Sequence, residues 1–268
     1  MSYVADGYVV PGYIADANVQ HNPLIVFDNR LDDAVPVANN TLSGAAINLT
    51  DFRPYTSWTP AAFPGYVTVD CGVAASANSI SVCNHNLFSK GCWIEARGSS
   101  DNFVSSDDLL ASYFPTADTP FVYLFNAASY RYWRIRVMGN SLPTLSVVAL
   151  GTAMEIPVGL PYGFDPLTRK VFGQTNISEQ GLPLGKAVLF EQWAQTLTFR
   201  YISSAWLRAT FLPAWKSALR GTPFLFAWNL TAYANEIYLV EAGDNIKTPQ
   251  TLPAYSDLVF DVKGVALV

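Results

Sequence analysis

The run YRYWRIRVM, Tyr130 to Met138, alternates without a break, with Trp133, Ile135 and Val137 on one side and Tyr132, Arg134 and Arg136 on the other. In an extended strand successive side chains point to opposite faces, so this run commits the chain to a sheet with one apolar and one polar face. Shorter runs repeat the period. Tyr66 to Cys71 places Val67, Val69 and Cys71 together, Ser79 to Cys83 turns Ile80 and Val82 inward, and Cys92 to Ala96 and Leu145 to Leu150 add two more. Loops rich in Asn, Ser, Asp and Pro join them. That spacing predicts an antiparallel jelly-roll β-sandwich over residues 23–151.

A second block, 152–268, opens with Pro157, Pro161 and Pro166, which puts the boundary near 151–156. Ala187 to Phe190, Thr196 to Tyr201, Pro223 to Trp228, Glu236 to Glu241 and Leu258 to Lys263 read as strands, with Leu197, Phe199 and Tyr201 on one side. One helix is expected at about 204–220. Thr210 is a candidate cap with Pro213 in the first turn, or the helix starts at Ser204 and kinks at Pro213; Leu212, Trp215 and Leu219 share a face, and Gly221 supplies a left-handed stop. The chain thus reads as mainly β: a sandwich, then a second β-barrel or sandwich domain with one packed helix. Residues 1–22, rich in Tyr, Val, Gly and Pro, read as an extended arm.

Composition narrows the partners. Charged residues make up 14% and hydrophobic residues 50% of the chain, against roughly 25% charged in an average domain. Surface this poor in charge suits subunit contacts, so a homo-oligomer is expected. A net charge of −5 with no basic run argues against a nucleic-acid partner. No apolar stretch approaches the ~18 residues of a membrane helix, and the start has no signal-peptide pattern, so membrane insertion is not expected and synthesis in a cytoplasm is. Cys71, Cys83 and Cys92 are odd in number, without metal spacing, and read as buried free thiols. Asn48, Asn176 and Asn229 head sequons to which a cytoplasmic chain gives no role.

Chemistry is sparse. The two histidines are His21 and His85; Cys83 and His85 fall on one face, but no oxyanion motif accompanies them. Asp32-Asp33 and Asp107-Asp108 are adjacent acids, which solvate loops more often than they face each other across a cleft. Asp28, Asn29, Asp32 and Asp33 offer oxygens to a calcium ion without EF-hand spacing. No catalytic residue, metal or cofactor is assigned. The loop DFRPYTSWTP crowds Phe52, Tyr55 and Trp58 around Arg53. Rings and a cation in a polar loop suit sugar stacking or a partner; the competing reading has Trp58 plugging the sandwich.

Several of these segments, in order, resemble the galactose-binding-like, discoidin (coagulation factor C-type) domain family. They are RPYTSWTP (53–60), YVTVDCG (66–72) with Cys71 in place of the usual Leu, ANSISVCNHNL (77–87), GSSDNF (98–103) and YRYWRIRV (130–137). The resemblance implies a jelly roll with ligand-binding loops at one end, and points to Arg53, Tyr55, Trp58, His85 and Asn86 as carbohydrate- or partner-binding residues. The family's usual disulfide joining the domain's ends is absent. The combination also resembles phage virion jelly rolls. Residues 181–268, with a helix ending at Gly221 and GTPF opening the next strand, resemble phage tail-tube-like and distal-tail folds. That implies a tail or baseplate protein of a virion, a trimeric or hexameric ring bound to other tail proteins, with Trp215, Phe224, Phe226 and Trp228 at the assembly interface. The alternative is a carbohydrate-binding module for host surface glycans. A depolymerase rests on the acid pairs alone.

Overall fold

A computed structural model describes residues 22–264. The arm expected at 1–22 lies, apart from Asn22, outside the described residues, as does His21.

The chain enters on β1 (Leu24–Val26) and then builds the first domain from β2 (Val37–Ala38), β3 (Ser43–Gly44), β4 (Trp58–Thr59), β5 (Gly65–His85), β6 (Cys92–Ser99), β7 (Asp108–Tyr113), β8 (Phe121–Gly139) and β9 (Leu145–Gly151). β5 and β8 pair antiparallel along nearly their whole length, and register shifts at Asp70/Ala75 and Ala77/Ser79 turn both round a corner. Strands that change sheet through bulges are how a sandwich closes on itself. One layer carries β2, the first half of β5, the second half of β8, then β6 and β7; the other carries β3, β4, β9 and the remaining halves of β5 and β8. Trp133, Ile135, Val137, Val67, Ile80 and Val82 are fully buried between the layers, as their alternation predicts. Each such burial contributes roughly 1.5–3 kcal/mol.

The second domain follows with β10 (Ala153–Glu155), β11 (Lys170–Ile177), β12 (Pro183–Gln192), β13 (Ala194–Ser203), β14 (Phe224–Ala227), β15 (Ile237–Lys247), β16 (Gln250–Leu252) and β17 (Tyr255–Gly264). Its main sheet runs β10-β1-β14-β15-β17-β13, with β16 on β17. Leu24–Val26 therefore belongs to this sheet and not to the sandwich that residue 23 was expected to open: Leu24 pairs with Glu155 on one side and Ala227 on the other. Three residues are too short a run for periodicity to assign to either domain. The barrel-or-sandwich alternative resolves into an open sheet covered on both faces. Ile25, Phe224 and Phe226 pack under the helix, while Leu24, Val26, Leu225 and Ala227 pack against Cys83, Val147 and Ala149 of the jelly roll. Strands buried on both faces read as continuous apolar runs, and FLFA is one.

The helix, α1, spans 204–219 and alternates α and π turns. It therefore takes the longer of the two expected forms. Thr210 lies exposed within it and caps nothing. Pro213 cannot donate its backbone bond, and π turns on both sides absorb the mismatch. Gly221 is not left-handed; the C-cap is Arg220. Trp215, Phe224 and Phe226, assigned above to an assembly interface, are core instead: Trp215 and Phe211 pack on Phe260 at 5.6 Å, and both phenylalanines are fully buried. Trp228 is half-buried, stacks on Tyr233 at 4.6 Å and donates Nε1–H to Glu236. Tyr201 departs from its expected face because a bulge between Phe199 and Ile202 resets the period, leaving Tyr201 exposed at φ +60 and Ile202 buried.

Candidate ligand groove on the outer sheet face

The loop expected to bind a ligand divides. Arg53 and Tyr55 are exposed. Trp58 is fully buried and donates Nε1–H to Thr41 Oγ1 at 3.0 Å, so it plugs the sandwich and has no face to offer a sugar. Asn86 is a positioning residue whose Oδ1 accepts the Thr144 N–H at 2.7 Å. His85 is buried. Its Nδ1 accepts the Leu87 N–H at 3.2 Å, which leaves Nε2–H to donate to the Thr119 carbonyl at 2.9 Å. With both nitrogens engaged, none faces Cys83, a buried thiol that burial pushes up to about 12. Burial also lowers the His85 pKa, against the Thr119 bond and Asp118, which raise it.

Most of the acid pairs and of the calcium candidate is also occupied from within. Arg30 pairs with both Asp28 and Asp33, and Asn29 bonds Val148 O, Leu150 N and Leu31 N, so three of the four candidate side chains brace a 3-10 turn, while Asp32 is exposed. Asp107 holds Arg97 at 2.6 Å, and Asp108 accepts from Tyr130 Oη at 2.7 Å. No cluster of metal-ligating side chains occurs among the described residues.

The structure instead assembles a surface that motif reading passed over. Strand register sets the outward side chains of β5, β8 and β6 in three rows: Asp70, Tyr132 and Ser99; Thr68, Arg134 and Arg97; Tyr66, Arg136 and Glu95. Between this face and the loop around Val35 and Val37 lies a groove of about 460 Å³, whose lining includes Tyr66, Thr68, Asp70, Asn102 and Tyr132. Val35 and Val37, 77% and 65% exposed, form an apolar wall. Asn102, at φ +57, brings Phe103 over the sheet from the opposite loop. That loop is built on Asp101, which accepts from the backbone N–H groups of Val104, Ser105 and Ser106, and from the Ser99 and Ser105 hydroxyls.

Charge in the face is ordered. Arg131 clasps Asp70 through two bonds of 2.7 and 2.8 Å and, with the Gly72 N–H, holds its carboxyl down at about 2. Glu95, buried, accepts from Arg97, Arg136 and Trp93 Nε1. Burial lowers the Arg134 pKa, with Arg97 and Arg136 adding to it, yet an arginine so placed remains a cation. The signal present in the sequence was the polar half of each alternating run. A strand whose outward side reads Tyr-Arg-Arg beside one reading Tyr-Thr-Asp presents rings and hydrogen-bonding groups together.

No family model matches this chain, and no curated protein matches it. Solved structures resemble part of it. A family 32 carbohydrate-binding module of AlyQ in complex with 4,5-unsaturated mannuronic acid is 21% identical over 44% of this chain and 93% of its own, with a TM-score of 0.38. Module 5 of the same family from a Clostridium perfringens GH89 protein, in complex with GalNAc-β-1,3-galactose, is 11% identical over 46% and 99%, at 0.40. Chitosan-binding module 1 from a Paenibacillus sp. IK-5 chitosanase/glucanase is 13% identical over 46% and 98%, at 0.39. Nothing in these comparisons supports a phage tail or baseplate identity.

Proposed function

We propose that this chain is a non-catalytic carbohydrate-binding protein whose ligand lies in the groove of the jelly roll's outer sheet face. The supporting observation is the juxtaposition, in a groove of about 460 Å³, of the Tyr66 and Tyr132 rings with Thr68, Asp70 and Asn102. Sugars present apolar C–H faces and hydroxyl edges, and bind where rings alternate with fixed acceptors and donors. Asp70 is already ionised and oriented by Arg131 and the Gly72 N–H, which fill Oδ1 and half of Oδ2, so the lone pair left on Oδ2 can accept from a hydroxyl without first reorganising. A glycan array, followed by calorimetry with Tyr132→Ala and Asp70→Asn, tests the reading. Binding abolished or weakened at least about tenfold by each variant supports it. A silent array, or undisturbed binding in both, removes it.

A second reading, assembly, draws on a separate feature. β11 and β12 form a two-stranded sheet of their own, with Ile177, Leu182, Leu184, Val188 and Leu189 between 57% and 71% exposed. Isolated hairpins are marginal in water, and grouped exposed apolar side chains mark contact surfaces. This supports a homo-oligomeric subunit, and a virion tail ring is the assembly that the resemblance of residues 181–268 would give it. Sedimentation of the intact chain beside Leu184→Lys/Leu189→Lys tests it: an oligomer lost in the variant is expected, and a monomer at all concentrations rejects it.

A further inference from the structure

Arg134 stands at the centre of the outward grid and differs from the arginines around it. Arg97 is paired with Glu95 and Asp107, Arg136 with Glu95, and Arg131 with Asp70. Arg134 has no ion pair among the described residues. Its Nε–H donates to Thr68 Oγ1 at 2.8 Å, and its guanidinium lies between two rings, with Cζ 3.6 Å from the centre of Phe103 and 4.1 Å from that of Tyr66. A planar cation covered on both faces can hydrogen-bond only through its edge. With Nε–H committed to Thr68, the Nη groups are what remains, and Arg134 has no further hydrogen-bond partner among the described residues. The rings and Thr68 hold the side chain in one orientation before any ligand arrives, and a fork of parallel N–H groups fits the two oxygens of a carboxylate. Tyr66 and Thr68, which hold the guanidinium, both line the groove, so Arg134 stands at its margin, beside the lining rather than in it.

We propose that the Nη edge of Arg134 is an anion subsite of this groove, so that the saccharide bound there is acidic and presents a uronic-acid carboxylate to Arg134. This rests on the glycan reading above, and the experiment separates the two. Trigalacturonate and galactotriose, which differ in the carboxylate, are titrated into the full chain, its Arg134→Gln and Arg134→Lys variants, each checked for unchanged melting. In a separate arm, sodium sulfate is added while the arginine Nε–H resonances are followed. The expected result is a preference for trigalacturonate of roughly tenfold or more, lost in Arg134→Gln and partly kept in Arg134→Lys, with a saturable sulfate shift at Arg134. Equal binding of the two saccharides, unaffected by either variant, overturns the anion subsite and leaves the glycan reading standing. A sulfate shift without saccharide binding keeps the subsite and rejects the glycan. Neither response rejects both. If Arg134→Gln fails to fold, the Arg134→Lys comparison and the sulfate arm still decide.

Discussion

Replacing Trp58 and Tyr132 by alanine, one at a time, sets the two candidate sites against each other. Trp58 has no exposed surface and packs inside the sandwich core. Its removal deletes the largest kind of side chain from a close-packed interior, where Trp→Ala costs about 3–5 kcal/mol. The bond from Nε1 to Thr41 Oγ1 is lost in the same step, and leaves a hydroxyl near the surface that water can satisfy. Trp58→Phe keeps most of the apolar contact and forfeits that bond plus some volume, about 1–2 kcal/mol. A domain of this size holds roughly 5–15 kcal/mol in all, so Trp58→Ala should leave the jelly roll marginal. Tyr132 is half-buried on the outer face, with the Arg131 guanidinium 5.0 Å from its ring centre, and carries none of the core. Tyr132→Ala should therefore cost ~1 kcal/mol or less while removing one of the groove's two rings. Urea unfolding followed by far-ultraviolet circular dichroism measures the first quantity, and calorimetry with the saccharide found on the array measures the second. The expected outcome is a double dissociation: Trp58→Ala lowers stability, and at temperatures where it stays folded it binds normally; Tyr132→Ala does the reverse. A Trp58→Ala protein within about 1 kcal/mol of the parent that no longer binds would refute the assignment of Trp58 to the core, because a buried plug cannot lose a ligand without losing the fold.

Burial holds the His85 imidazole below its ordinary pKa, so the unfolded chain takes up a proton first as pH falls through about 6.5; stability should be complete above that pH and decline below it, and the urea midpoint of His85→Gln between pH 8 and 5 should lack that slope. The Cys71 and Cys83 thiols are both pushed up to about 12, mainly by burial, and that of Cys92 is raised; Cys83 and Cys92, both buried, should resist a thiol reagent at pH 8 until urea is added, Cys71, half-buried rather than buried as expected, should react more slowly than a free thiol, and rapid labelling of Cys83 in native protein would contradict its place in the seam. Val147, fully buried between the domains, should not tolerate a charge; Val147→Asp is expected to cost at least about 3 kcal/mol and to split one calorimetric transition into two, whereas an unaltered endotherm would mean that the seam carries no coupling.

The alternating runs made the jelly roll legible because one face of each strand is core and the other is solvent. In Tyr130 to Met138 the sequence period and the physical period coincide, and Trp133, Ile135 and Val137 are buried as that period requires. Legibility fails wherever a strand is covered on both sides. β1 and β14 carry apolar residues at every position, so nothing in LIV or FLFA tells which layer each side chain meets. The same blindness sent Phe224, Phe226 and Trp215 to a surface: large rings mark interfaces and interiors alike, and only the neighbours decide. Trp58 failed as a sugar platform for that reason, although the competing plug was visible. The groove was missed for the opposite cause. Its strand residues occupy the solvent-facing half of alternating runs, and their convergence depends on the β5–β8–β6 register and on the Asp101-centred loop that sets Phe103 over Arg134, neither of which is legible from a single run.

The same non-local pairing decides how the two domains are joined. β1 precedes the jelly roll in the chain and β10 follows it, yet Leu24 pairs with Glu155 and Val26 with Ala153. The jelly roll is therefore an excursion between two neighbouring strands of the other domain's sheet, and the chain crosses the junction twice at one place. Gly151 ends β9 at that crossing, where a side-chain carbon would run into the Asp28 carbonyl, so the two crossings touch along their backbones. A single linker would leave the domains free to swing. Two adjacent crossings fix a line, and the apolar seam of Leu24, Val26, Cys83, Val147, Ala149 and Leu225 fixes the rotation about it. Turning one domain against the other would expose these side chains, at roughly 25 cal/mol for each Å² of apolar surface uncovered. The groove is thus held at a set orientation to the second domain, which is the condition under which an assembly built through that domain would present every copy of the groove in the same direction.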